Sequence, residues 1–128
     1  MKKLIFLLLM FMYCTVWADW VKIMDYRIPD KSGVIFYYFD PATIRKIEGK
    51  RTVWQLSDFK GRDEGSSTRY LTEYDCGQER SRDLDMTLHT GNMAVGVGTR
   101  PSIKFPTQWG YVAPKTYEDI VMKIVCAK

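Results

Sequence analysis

The residues with the most capacity for chemistry are one cysteine, one histidine and a pair of aspartates. Cys76 sits in RYLTEYDCGQERSRDL, residues 69–84, among closely spaced acids and arginines. A nucleophilic cysteine needs a base within hydrogen-bond reach. The only histidine, His89, lies thirteen residues further on, in a stretch that reads as half-exposed strand. Zinc would need paired short ligand spacings, which the cysteines and the single histidine do not supply. Asp83 and Asp85 are expected to share one strand face about 7 Å apart, a separation at which carboxylate pairs can cleave glycosidic bonds. The simpler reading of the same stretch is a solvated face on which Arg69, Arg80 and Arg82 pair with nearby acids. GVGTRPS has Pro101 where a phosphate loop needs its third glycine, and no lysine follows. The sequence therefore assigns no catalytic, cofactor-binding or metal-ligating residue. It calls for no cofactor and describes a non-enzymatic protein.

The chain opens MKKLIFLLLMFMYCTVWA. Two lysines, an apolar run from Leu4 to Tyr13 and small residues at Val16 and Ala18 describe a secretory signal peptide, residues 1–18, cleaved after Ala18. The run is short for a membrane span, and no second one follows, so no transmembrane segment is expected in the mature chain. Met12 and Tyr13 precede Cys14 where lipoprotein processing needs small residues, so the product is expected to be unlipidated. Residues 19–128 are one domain, exported to the periplasm or the outer cell surface. Its two cysteines, Cys76 and Cys126, then lie in an oxidising compartment, where an even pair reads as a disulfide. Closing a loop of fifty residues is worth about 4 kcal/mol in the chain-entropy model.

Period-two patterning predicts strands over 20–26, 33–40, 51–60, 67–76 and 82–90, with NMAVGVGTR as a sixth, loosened by glycine. In the fifth strand Leu84, Met86 and Leu88 are expected on one face and Asp83, Asp85 and Thr87 on the other. DPATIRK offers Asp40 as a cap and Pro41 at the first helical position, which favours one short helical turn after the second strand. Its Ile44 turns back on the sheet. TYEDIVMKIVC has Thr116 as cap, acids in the first turn and apolar residues at helical spacing. The fold class is α+β: a single antiparallel sheet of about five or six strands, with a C-terminal helix packed on it.

With Lys2 and Lys3 removed, 17 Lys and Arg face 15 Asp and Glu. That near balance does not suit nucleic acid. One local cluster stands out, because Arg45, Lys46, Lys50 and Arg51 crowd the turn at Glu48 and Gly49. They are the candidate partner-binding residues, suited to another protein or to an anionic glycan or surface. The other candidate is an aromatic patch, since strand alternation sends about half of the aromatic side chains to the face without the helix.

The ordered set YFDPATIRK (38–46), VWQLSDFK (53–60), YDCGQERSR (74–82), GNMAVG (91–96) and WGYVAPKTYEDIVMKIVC (109–126) resembles the surface-adhesin protein E family of small bacterial envelope proteins. The resemblance covers nearly the whole mature chain. It implies a mainly antiparallel sheet packed against a helix, a capacity to form a homodimer, and an adhesin-like role in binding macromolecules. The family's founding member is an outer-membrane lipoprotein that binds host matrix and serum proteins, whereas this chain lacks the lipoprotein signal. The alternative role is that of a periplasmic inhibitor or an accessory subunit of an envelope assembly.

Overall fold

Strands form wherever apolar and polar residues alternate between turn residues. The computed structural model describes residues 19–62 and 64–127, so the expected signal peptide lies outside the described residues. The strands are β1 (Val21–Arg27), β2 (Gly33–Phe39), β3 (Arg45–Ile47), β4 (Lys50–Gly61), β5 (Gly65–Asp75), β6 (Arg80–His89), β7 (Gly98–Thr99) and β8 (Gly110–Tyr111). An α-helix, α1 (Tyr117–Cys126), follows the strands. The sheet is antiparallel throughout, in the order β1-β2-β4-β5-β6-β7, with β3 also on β4 and β8 also on β6. The expected α+β class and single sheet are therefore observed, six strands along its main path and two short ones beside it.

Both helical pieces are capped as their sequences require. Asp40 accepts from Ala42 N–H at 3.1 Å, Pro41 occupies the first position, and the 3-10 turn Pro41–Thr43 ends where Ile44 packs against the core. Thr116 accepts from Asp119 N–H at 3.2 Å, and Glu118 and Asp119 lie in the first turn of α1.

The face under α1 carries the core. Phe39, Val53 and Tyr74 of the sheet pack against Val121, Met122 and Val125 of the helix. The buried Tyr74 hydroxyl donates to Gln55 Oε1 at 3.2 Å, which satisfies both oxygens. Cys76 at the end of β5 is bonded to Cys126 in the last turn of α1, with Cα atoms 5.7 Å apart. The expected disulfide thus fastens the helix to one end of the sheet. The helix covers that end of its face and leaves the other end open.

Two features depart from simple alternation. The expected sixth strand is reduced to Gly98–Thr99. Before it, Asn92–Ala94 forms a 3-10 turn in which Met93 and Ala94 adopt φ of 55° and 60°. That conformation costs energy in a non-glycine residue and needs outside support. Asp58, fully buried, supplies it by accepting from the Asn92 amide and from Met93 N–H, both at 2.9 Å. The second departure is a bulge in β6. Leu71 pairs with Asp85 while its neighbour Thr72 pairs with Asp83, so Leu84 is the extra residue. Neighbours on β5 point to opposite faces, so their partners do too. The expectation that Asp83 and Asp85 share a face is therefore corrected: Asp83 turns to the helix side and Asp85 to the outer side. Leu84 accordingly joins Leu71 on the outer side, while Met86 and Leu88 remain under the helix side.

Candidate functional site

The β3–β4 hairpin places the four predicted cations at one corner of the sheet. Its register pairs Arg45 with Thr52, Lys46 with Arg51 and Ile47 with Lys50. Paired residues share a face, so Lys46 and Arg51 point to the helix side, and Arg45 and Lys50 to the outer side. Arg51 is half-buried and donates to the carbonyls of Lys50 at 3.0 Å and Glu48 at 3.3 Å, binding the turn together. Lys50 lies near Asp75 and helps to hold that carboxyl down. Arg45 and Lys46 are exposed and belong to none of the ion pairs among the described residues.

Beside Arg45 the outer face opens into a groove of about 500 Å³, floored by Trp54, Leu71 and Leu84 and rimmed by Thr43 and Ile47. Next to the groove, that face carries cations over its aromatic rings. Lys22 and Lys60 lie over the Phe36 ring at 5.0 and 5.2 Å, and Arg69 over Trp54 at 5.0 Å. Long basic side chains can shield apolar rings while keeping their heads wet. Of the expected aromatic patch, Phe36 and Trp54 are therefore shielded in part, while Tyr38 stays half-buried on the same face. Trp54 reaches this face because its strand neighbour Val53 points into the core under the helix. The contribution of Leu84 could not be foreseen, because it comes from the bulge.

Arg80 and Arg82 behave differently from the hairpin cations. Arg80 pairs with Asp75 at 3.0 Å, Arg82 pairs with Glu73 at 2.7 Å, and both guanidinium groups stack on Trp109 at 4.6 and 4.3 Å. Burial pushes the Asp75 carboxyl upward, but the Arg80 hydrogen bond and Gln78 N–H outweigh it and hold the carboxyl below its ordinary range. Arg80 and Arg82 thus pair with acids as the sequence suggested, whereas Arg69, expected to do the same, lies over the Trp54 ring and belongs to none of the ion pairs among the described residues. The stack on Trp109 pins the segment after β7 onto β6, helped by Thr107, whose N–H donates to the Asp83 carbonyl at 2.9 Å.

No nucleophile emerges from the remaining candidates. Cys76 is in the disulfide. His89 shares an outer-face row with Ser67 and Asp58 across three strands, the residue types of a hydrolase triad. The Ser67 hydroxyl, however, donates to the Gly91 carbonyl at 2.6 Å and accepts from Ala94 N–H at 2.9 Å, and Asp58 is engaged by the same turn. The row builds the 91–97 turn. Among the described residues, no group of three or more His, Cys, Asp or Glu side chains could hold a metal ion. Among them, too, no helix is long and apolar enough to cross a membrane.

A sheet closed by a disulfide-tethered helix, with its loops pinned by an arginine–tryptophan stack, has relatives. The family model for surface-adhesin protein E matches residues 20–127. The chain belongs to that family. As a member it is an adhesin-like protein of the bacterial envelope, and its role is non-enzymatic. No curated protein sequence matches the chain significantly. Solved structures of Haemophilus influenzae protein E share the fold. The selenomethionine form superposes with a TM-score of 0.63 at 13% identity, covering 88% of each chain. A second crystal form gives 0.60 at 14% identity, over 87% of this chain and 92% of that one. Protein E from a non-typeable strain gives 0.56 at 12% identity, over 89% and 79%. Such low identity establishes the shared backbone and leaves the ligand to be argued from this chain's own residues.

Proposed function

We propose that the mature protein, exported and cleaved after Ala18 without lipid, binds an anionic macromolecule through the β3–β4 hairpin. The ligand class is an acidic protein or an acidic glycan. The observation that carries the reading is the contrast among the basic residues: Arg80, Arg82 and Arg100 each meet a carboxylate, whereas Arg45 and Lys46 project from an exposed hairpin and meet none among the described residues. The groove beside Arg45 adds apolar area around Trp54, which a partner can bury next to the ion contact. The intact mass of exported protein should correspond to a chain beginning at Asp19. A lipid increment on Cys14 would remove that part of the reading.

Binding is tested with immobilised heparin and immobilised polyglutamate as anionic probes. Retention should fall steeply with salt, since exposed charges are screened over about 8 Å at physiological ionic strength. The triple variant Arg45→Gln, Lys46→Gln, Lys50→Gln should lose retention and keep its melting temperature, with Arg51 left in place because it holds the turn. Unchanged retention by the triple variant would rule the hairpin out.

A further inference from the structure

On the opposite face, the half of the sheet that α1 leaves open holds a groove of about 350 Å³. Its inner end is formed by Tyr70, Asp83 and Tyr117, and its flanks by Ile35, Met86 and Leu88. Among the described residues, no lysine or arginine lines it. Tyr117, from the first turn of α1, lies flat on Tyr37 with ring centroids 4.0 Å apart and planes 9° apart, so the aromatic wall is built jointly by helix and sheet. Glu118 comes with it, accepting from the Tyr117 hydroxyl at 3.3 Å and from the Ser81 hydroxyl at 3.4 Å.

Asp83 is the unusual member. The bulge at Leu84 turns it inward, and its carboxylate accepts one side-chain hydrogen bond, from Thr72 Oγ1 at 3.0 Å. It belongs to none of the ion pairs among the described residues, because its neighbour Arg82 points to the outer face and is taken by Glu73. Burial pushes its carboxyl above the usual range. Burial, reinforced by the charge of Glu118, likewise pushes the Tyr70 and Tyr117 hydroxyls up. The Tyr70 hydroxyl is buried without a hydrogen bond of good geometry, although it lies close enough to that of Tyr117 for each to influence the other's ionisation. A half-buried carboxylate, a second one on the Tyr117 hydroxyl, electron-rich rings and apolar flanks together lack one thing, a positive charge.

We propose that this groove receives a lysine or arginine side chain from a partner protein, its cation on Asp83 beside the tyrosine rings and its aliphatic stem along Met86 and Leu88. The partner is a protein because the groove is open along its length and its flanks are apolar, offering contact to residues on either side of the inserted one. The site is independent of the hairpin reading, since it lies on the other face and has the opposite charge.

Calorimetric titration of the mature protein uses three probes: the peptide acetyl-Leu-Arg-Leu-amide, the same peptide with citrulline for arginine, and n-butylamine. The arginine peptide should bind saturably, and the citrulline peptide about tenfold more weakly or worse, since it loses the charge but keeps the shape. Asp83→Asn, which retains an acceptor for Thr72, should show a similar loss. Leu88→Lys, at the exposed mouth, should also weaken binding by placing the protein's own cation in the groove. Arg45→Gln with Lys46→Gln should leave this binding unchanged, which separates the site from the hairpin. Equal affinity for the arginine and citrulline peptides, full binding by a folded Asp83→Asn, or no saturable binding of the arginine peptide would each overturn the proposal. Binding of butylamine with exclusion of the peptide would overturn the assignment to a partner protein.

Discussion

Arg45 and Arg82 stand at the two ends of one cross-strand row on the outer face, with Thr52 and Glu73 between them. Arg82 reaches Glu73 and the face of Trp109, and through them joins β5, β6 and the segment before α1 into one unit. Arg45 has Thr52 as its neighbour and projects into solvent beside an open groove. The same side chain is thus structural where a buried carboxylate and a ring lie within reach, and available where they do not. What separates a scaffold cation from a binding cation is the occupant of the next strand, and neither residue type nor local charge density reports that.

The two ends of this row should fail differently when cut. The end bearing Arg82 also holds the disulfide, so cutting the bond should have the largest effect. Cys76→Ser with Cys126→Ser should lower unfolding free energy by about 4 kcal/mol, the entropy of a fifty-residue loop. Denaturant titration of the variant beside the oxidised protein measures it. A loss below about 1 kcal/mol would mean that the helix is held by its packing alone.

The next largest effect compares the two arginines directly. Arg82→Ala leaves Glu73, 9% exposed, without its cation and removes one half of the stack on Trp109. A cost of about 2–3 kcal/mol is expected, partly recovered when Glu73→Gln is added. Arg45→Ala should cost less than about 0.5 kcal/mol. Equal costs would break the distinction between the two ends of the row.

Much of this division was legible in the sequence. Cys76 and Cys126 announced their bond through compartment and number. The caps at Asp40 and Thr116 announced both helical pieces, and alternation gave the five long strands. The arginines of ERSR read correctly as ion-paired. What alternation could not show was the break in alternation itself. The extra residue at Leu84 depends on how β6 meets β5, a contact that no local period encodes, and it decides that Asp83 faces the helix. The 91–97 segment was misread for a related reason. Its valines suit a strand, but Asp58 and Ser67, more than twenty residues earlier, hold it in a left-handed turn. Trp109 gave no local sign of its role, because its arginine partners lie on β6.

Asp83 sharpens the comparison on the other face, with a smaller effect whose sign can be worked out. Burial raises its carboxyl above the 3.8 of a free aspartate. A group whose pKa is raised by folding contributes its stability fully below the unfolded value and loses it as pH rises through the folded one. The wild-type protein should therefore carry an uncompensated charge at neutral pH, and Asp83→Asn should be the more stable of the two there. The gap should close as pH falls below about 4, where both side chains are neutral. Asp75 and Asp119 act in the opposite sense. Arg80 and Gln78 N–H outweigh burial at Asp75, and the Lys123 and Lys115 N–H contacts hold Asp119, so both carboxyls lie below the ordinary range. Their contribution is present above 3.8 and is lost as pH falls through their depressed values. Both are common to the two proteins, so they cancel when the melting temperatures are subtracted at each pH. The difference curve then isolates Asp83, with Glu118 and the surrounding tyrosines unchanged in both. A curve that is flat from pH 3 to 7 would show that Asp83 already has a counter-charge in the folded protein, and the groove would then have no vacancy for a partner's cation.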